Sequence, residues 1–379
     1  MTLTSWVAFQ LTGSPWLVAL TGVCRAAALP LVGPLSGALA DRVDRVLLVR
    51  IAEWGNLAAL ALLTGSILTG HGAYWQLLAV TLWFGVSMAL EWPARRALLM
   101  DLAGPDHLLR AVVLEKVSQA AARVAGPLLA GFLLAQWDSR AYALIALLPA
   151  LSLLALGQMA TAPPTSTAAA TSVWRQLREG LVYVRRHQVL WAVLLITIAM
   201  NFTTSPAQQL FAVMAKDVLH VGPVGLGWMG AANGIGAMLA LLLIPRVAKE
   251  RFYGWTFVLG TALASLCLAL FAATTSLALA LTLLMLSGFG QTGFGVMQST
   301  LMLSRASPAL RGRAMGLLTL AIGSAPLGAI EMGAMAERWG TPLAIGVNAL
   351  LCAVAVAAVA WRSPQLRQAQ AATAAASQR

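Results

Sequence analysis

Apolar segments of about 20 residues recur along the whole chain, at 15–40, 46–68, 74–92, 111–135, 141–161, 189–213, 224–245, 252–272, 276–303, 314–335 and 340–361. At about 1.5 Å of helical rise per residue, each is long enough to cross a ~30 Å hydrocarbon core. A twelfth run, residues 1–11, is too short to span. Lipid offers no partner to backbone N–H and C=O groups, so spanning segments must bond internally, and the alternation that marks barrel strands is missing. The sequence therefore predicts an all-α membrane protein. Composition agrees: 10% of the 379 residues are charged, against roughly 25% in soluble domains.

A net charge of +12 would suit a nucleic-acid binder, and where the cations sit decides against it. Threading the loops alternately puts Arg140, Lys216 and Arg338 on one side of the membrane and twenty of the 25 Lys and Arg residues on the other. That asymmetry is the positive-inside rule, and it places the C-terminus in the cytoplasm. No nucleic-acid partner is expected. Cys24, Cys267 and Cys352 lie inside apolar helices without paired spacing, and the four histidines form no ligand set. No metal, cofactor or catalytic constellation is expected, so the chain does not read as an enzyme.

The longest interruption, residues 162–188, opens as a Pro/Ala/Thr linker. It continues as an amphipathic segment with Trp174, Leu177, Leu181 and Val184 on one face, suited to lying on the cytoplasmic membrane surface. It divides the chain into a six-helix half at 1–161 and another at 189–361, with a disordered tail at 362–379. "RVDR" at 42–45 matches "RVAK" at 246–249, and Pro105, Arg110 and Ala111 match Pro308, Arg313 and Ala314. The offsets, 204 and 203 residues, agree to within one, as a duplicated unit requires.

Five charges crowd into Asp41–Arg50, between two apolar runs. Gly33, Pro34 and Gly37 keep the preceding helix thin, so a neighbouring backbone can approach. Asp41 is then placed to accept hydrogen bonds from the N-terminal amides of a facing helix, and Arg42 and Arg45 to pair with acids or lipid phosphates. Such a cluster works as a latch, made in one conformation and solvated in another.

"GALADRVDR" at 37–45 resembles the signature loop of the major facilitator superfamily, in the form used by a bacterial exporter subgroup of siderophore, macrolide and multidrug efflux proteins. "LTGSP" at 11–15, "CRAAALP" at 24–30, "PARRALLMDL" at 93–102, "ARVAGPLLAG" at 122–131, "RGRAMG" at 311–316 and "PLGAIEMGAMAERWG" at 326–340 resemble further elements of that subgroup, in order. The resemblance implies a bundle of 12 transmembrane helices in two pseudo-symmetric halves, with the first helix truncated here. It implies a monomeric secondary transporter of the bacterial inner membrane, exporting amphiphilic small molecules by alternating access with protons as coupling ion and no cofactor. An importer of the same fold, or an inactive truncated paralogue, is the alternative.

By the same resemblance, Gly37, Asp41, Arg42, Asp44 and Arg45 form a cytoplasmic gate, Asp41 capping the eleventh helix near Arg313 and Gly316 and Arg45 pairing with Glu91. Gly126, Pro127 and Gly131 match an element associated with antiport. Where the subgroup often has an arginine three residues after the acid at Glu53, this chain has Asn56, leaving the partner of Glu53 open. Charges inside spans cost roughly 2.5–3.5 kcal/mol each on insertion scales, so Arg25, Glu53, Arg123 and Glu331 each call for a role. Arg123 reads as structural, paired with a neighbouring acid. Arg25 and Glu331 either pair to close the outer side, or Glu331 carries protons by itself. Asn201, Thr204 and Gln208 share one face of the seventh helix, and Gln291, Gly295 and Gln298 one face of the tenth. They line a central cavity or bond helix to helix.

Overall fold

The computed structural model describes residues 2–159, 173–247 and 250–367. The first part of the linker, Lys249 and the tail beyond 367 lie outside those residues, as do the side chains of Asp41 and Arg42 and the surroundings of Gly37.

Among the described residues there are helices and no strand. α1 (Thr2–Thr12) is short, as its sequence requires, and stops at Gly13, whose φ of +63° suits a residue without a Cβ. α2 (Pro15–Arg42) begins with proline, where the missing N–H removes no helical bond. α3 (Arg45–Leu68) starts on an Asp44 cap. α4 (Tyr74–Trp137) runs unbroken through what the sequence predicts as a fourth helix, a loop and a fifth helix. Its 64 residues would reach ~96 Å if straight. Leu77 near its start and Ser139 just beyond its end line one small cavity, so α4 doubles back and supplies two spans.

α5 (Ala141–Ile145) and α6 (Leu147–Gly157) complete the first half, and α7 (Val173–Arg186) is the amphipathic segment. α8 (Gln188–Ala199) opens the seventh span, which the sequence predicts as one regular helix over 189–213. It instead passes through a π-type turn (Met200–Thr204), a 3-10 stretch (Ser205–Leu210), α9 (Phe211–Val213) and a second π-type turn (Met214–Val218). Pro206 lacks the N–H that a regular helix would use there. Then follow α10 (Gly222–Val247), α11 (Tyr253–Ala272), α12 (Leu277–Arg305), α13 (Arg311–Ile322), α14 (Ala325–Trp339), α15 (Thr341–Arg362) and α16 (Pro364–Arg367). The expected eleventh helix is broken between α13 and α14, at Gly323 and Ser324. Eight helical stretches are long and apolar enough to cross a membrane among the described residues. Large apolar side chains such as Leu62, Trp75, Leu154, Val354 and Trp361 are exposed, as contact with lipid tails requires.

Burial divides unevenly between the two ends. At the charge-poor end, where the turns at Gly13, Gly70 and Gly340 lie, one buried cluster joins both halves of the chain. Leu3, Trp6, Phe9, Leu77 and Leu134 share it with Phe211, Phe271, Met332 and Ile345. Toward the arginine-rich end the described cores separate. One, with Leu190, Phe257, Leu301, Leu318 and Val356, uses the second half together with Val184 of α7 and Leu366 of α16; the other, with Leu48, Val49, Ala94 and Leu156, uses the first. Among the described residues the core is thus shared between the halves at one end and separate at the other.

Candidate functional site

Three features build the site: a seal, the cavities beneath it and a charged network at the opposite end. The seal begins where α2 starts. Its first amides have no carbonyl partners in their own helix; Ser14 Oγ takes that of Leu17 at 3.2 Å, and the acceptor for Trp16 comes from α14, far along the chain. Glu337 Oε2 accepts from the Ser14 hydroxyl at 2.8 Å and from the Trp16 N–H at 3.2 Å. Small residues let the same two helices close up: a Cβ on Gly333 would stand 2.6 Å from that of Ala19. A second seam joins the latter part of α4 to α10. There a Cβ on Gly227 would stand 2.8 Å from the Pro127 carbonyl oxygen, and one on Gly131 2.9 Å from the Gly227 Cα. Pro127 and Gly131 therefore lie in the contact between the halves, whereas Gly126 has nothing within 4 Å of where a Cβ would stand, among the described residues. Small residues facing each other are how helices in lipid pack closely.

A cavity of about 490 Å³ lies between the latter part of α4 and α10 and α12. Arg123, Lys116, Asn233 and Gln291 are among its lining. Gln208 reaches it by donating to Gln291 Oε1 at 3.3 Å. Of the other polar residues in the stripes, Gln298 bonds across to the seventh span and Asn201 bonds within its own helix. Gln298 donates to Thr197 Oγ1 at 2.9 Å, Asn201 to the Thr197 carbonyl at 3.0 Å, and Thr204 is buried. A second cavity, about 160 Å³, is lined by Arg25 with Thr4, Thr21, Thr81, Phe84 and Gln209. Arg25 and Glu331 are not brought together: Glu331 Oε1 takes the Asn348 amide at 3.4 Å and its Oε2 is buried with no partner. Arg123 has no acid beside it in the cavity lining, contrary to the expected pairing.

At the arginine-rich end, the partner that the sequence left open for Glu53 is Arg95. Its Nη2 meets Glu53 Oε1 at 3.1 Å, and its Nε meets Glu91 Oε2 at 3.2 Å. Asn56 spans the same two carboxylates at 3.3 and 3.5 Å, Ser87 donates to Glu91 at 2.9 Å and Ser152 to Glu53 at 2.9 Å. The cation described on Glu91 is thus Arg95, one turn along its own helix, in the place expected for Arg45. Asp44, grouped with the gate by its motif, accepts from the Val46 and Leu47 amides at 2.7 and 3.2 Å as the N-cap of α3. Arg313 pairs with Glu179 of α7 at 2.8 Å, and a Cβ on Gly180 would stand 3.2 Å from that of Arg313. With Tyr183 Oη accepting the Ser307 N–H at 2.9 Å, α7 docks on the second half. Beside Gly316 there is open space among the described residues.

Arg95 and Glu91 were legible as an i, i+4 pair. Glu337, Asn348 and Gln209 carried no local signal, because each acts on an element distant in the chain.

Known proteins resemble this chain in sequence and in fold. The family model described as "Transmembrane secretion effector" (MFS_3) matches residues 2–379. Over 372 residues the chain is 25% identical to the enterobactin exporter EntS of Shigella boydii, covering 95% of this chain and 87% of that one. It is 29% identical over 248 residues to the MFS-type transporter YfiS of Bacillus subtilis, covering 63% of this chain and 57% of that protein. Among solved structures, the nucleoside transporter NupG superposes with a TM-score of 0.78 at 14% identity, over 94% of this chain and 93% of that one. A bacterial homologue of the lysosomal transporter Spinster, in an inward-facing and unoccupied conformation, superposes at 0.76 and 14% identity, over 98% and 94%. With helices long enough to span, two halves about a polar interior and no catalytic constellation, the chain belongs to the transmembrane secretion effector family of major facilitator transporters, multi-pass membrane proteins that move small molecules and are not enzymes.

Proposed function

We propose that the protein exports amphiphilic small molecules from the cytoplasm, driven by protons, through rocking of two six-helix halves at 1–161 and 189–361. The observation that carries this reading is the uneven core: one shared cluster at the charge-poor end, two separate clusters at the other. Packing of that kind is bistable rather than continuously deformable. With the arginine-rich end in the cytoplasm, this conformation receives cargo from inside. The opposite conformation breaks the Glu337 seal and closes the cytoplasmic end, where Asp41 approaches Arg313 and Gly316.

Protons enter the reading through Glu331. It sits in α14, beside the seam between the halves, with an amide as its only described partner and one oxygen unmatched. Intramembrane acids with such surroundings mark proton paths. Export, rather than import, is supported by the likeness to the enterobactin exporter. The protein is taken to act as a monomer in the bacterial inner membrane.

Everted membrane vesicles test this directly. Energised vesicles should accumulate at least one of cholate, chloramphenicol or ethidium, lose it on adding a protonophore, and lose driven uptake in Glu331→Gln. Accumulation that ignores the protonophore, or uptake only into right-side-out vesicles, overturns the reading.

A further inference from the structure

We propose that the cargo carries an anionic group, a carboxylate, sulfonate or ionised phenol, and that Arg25 anchors it with Arg123 as a second cationic contact. This deepens the export reading above and rests on it for the word cargo; the binding sites themselves do not. Arg25 lies ten residues into α2 after Pro15, so about 15 Å deep, near the middle of a ~30 Å core. Cations at that depth pair with acids or mark the path of a substrate. Among the described residues Arg25 makes no ion pair or hydrogen bond, and its Nε is shut away from solvent without an acceptor.

The surroundings explain why no protein group neutralises it. Its 160 Å³ cavity is lined by hydroxyls, an amide and an aromatic ring, with no Asp or Glu among the described residues. Thr21 and Thr81 donate to carbonyls of their own helices, at 2.7 and 3.0 Å. Five described glutamates are engaged elsewhere: Glu53 and Glu91 with Arg95, Glu179 with Arg313, Glu337 with Ser14 and the Trp16 N–H, and Glu331 with Asn348. The larger cavity repeats the pattern, for Arg123 and Lys116 line it and, among the described residues, no Asp or Glu does. Lys116 is held by Gln119 at 3.3 Å, whereas Arg123 has no partner among the described residues.

The two cavities lie on either side of the irregular stretch Ser205–Leu210. Ser205 lines the larger and Gln209 the smaller. A space of 160 Å³ takes a carboxylate head and a few waters, each water filling about 30 Å³. The apolar body of the cargo then extends toward Met200, Met238 and Phe294 of the larger cavity. A guanidinium suits the task because its planar fork matches a carboxylate and stays charged.

The test is equilibrium binding to the full chain in nanodiscs with no gradient, using benzoate, 1-naphthoate and cholate beside their uncharged methyl esters. At least one acid should bind more tightly than its ester. Arg25→Gln should weaken that acid about 10- to 100-fold, the range for a lost charged hydrogen bond, and leave the ester within about twofold. Arg123→Gln should weaken it less, and Arg25→Lys should retain most of the affinity. If Arg25→Gln does not fold, the wild-type preference for acid over ester and the Arg25→Lys result decide. Equal affinity for every acid and ester, no binding of any acid, or a loss in Arg25→Gln shared equally by acid and ester overturns the proposal. Because no gradient is applied, binding survives a failure of proton coupling, and driven uptake of ethidium survives a failure of the anion site.

Discussion

Replacing Glu337 with alanine tests whether the seal at the start of α2 sets which end of the transporter is open. Glu337 supplies a carboxylate oxygen to the Ser14 hydroxyl and the Trp16 N–H, at 2.8 and 3.2 Å. Loss of a helix cap costs about 1 kcal/mol, and loss of a negative charge at a helix N-terminus about 0.3–1 kcal/mol. The side chain is exposed, so water screens part of this, leaving about 1–2 kcal/mol for the pair of contacts. That amounts to roughly five- to thirtyfold in the ratio of sealed to unsealed molecules, provided the contacts exist in only one state. Spin labels on His71→Cys and Thr275→Cys, exposed positions in the two halves at the sealed end, report the separation by pulsed electron resonance. A Cys24→Ser background removes the one cysteine that is not buried. Glu337→Ala should move population from the short to the long distance, Glu337→Gln should do so less, and adding Ser14→Ala to Glu337→Ala should change little more. An unchanged distance distribution in Glu337→Ala would refute the assignment of the seal, as would full additivity of the two replacements.

Other outcomes follow from the remaining contacts. Arg95→Ala leaves the Glu53 and Glu91 carboxylates facing each other and should destabilise the protein by about 1–3 kcal/mol, seen as a Tm lowered by several degrees. Adding Glu53→Gln and Glu91→Gln should recover more than half of that loss. Asp44→Ala should cost about 1 kcal/mol of stability while Asp44→Asn and Asp44→Ser stay within a few tenths; equal damage to flux from all three at unchanged Tm would return Asp44 to a gating role. Gly227→Leu sets a side chain against the Pro127 carbonyl, 2.8 Å from its Cβ. It should open the same spin-label pair and abolish driven uptake in a protein that still purifies as a single species.

Some of this was legible before any coordinates. Runs of apolar residues alone determined that the chain is a helical membrane protein, because backbone in lipid has few ways to satisfy itself. Uneven placement of arginines determined which loops share a side, and a thin Gly- and Pro-bearing α2 followed by a crowded charged loop pointed to a moving junction. The i, i+4 pair of Glu91 and Arg95 needed only a helical repeat, though the sequence reading assigned Glu91 to Arg45. The polar stripes had two readings, and the structure divides them: Gln208 and Gln291 at the cavity, Gln298 bonded across to Thr197, and Asn201 bonded within its own helix.

What only the tertiary structure decided is which distant groups meet. Glu337 caps a helix that starts 322 residues earlier, at Pro15. Glu53 finds its cation on α4, Arg313 is held by the linker helix, and Arg25 faces a cavity without any acid. None of these follows from local spacing, since a side chain's partner depends on how whole helices cross. A hydropathy pattern constrains the outside of each helix, where lipid is a uniform solvent. The inside is set by the packing of helices against each other, which no local pattern encodes.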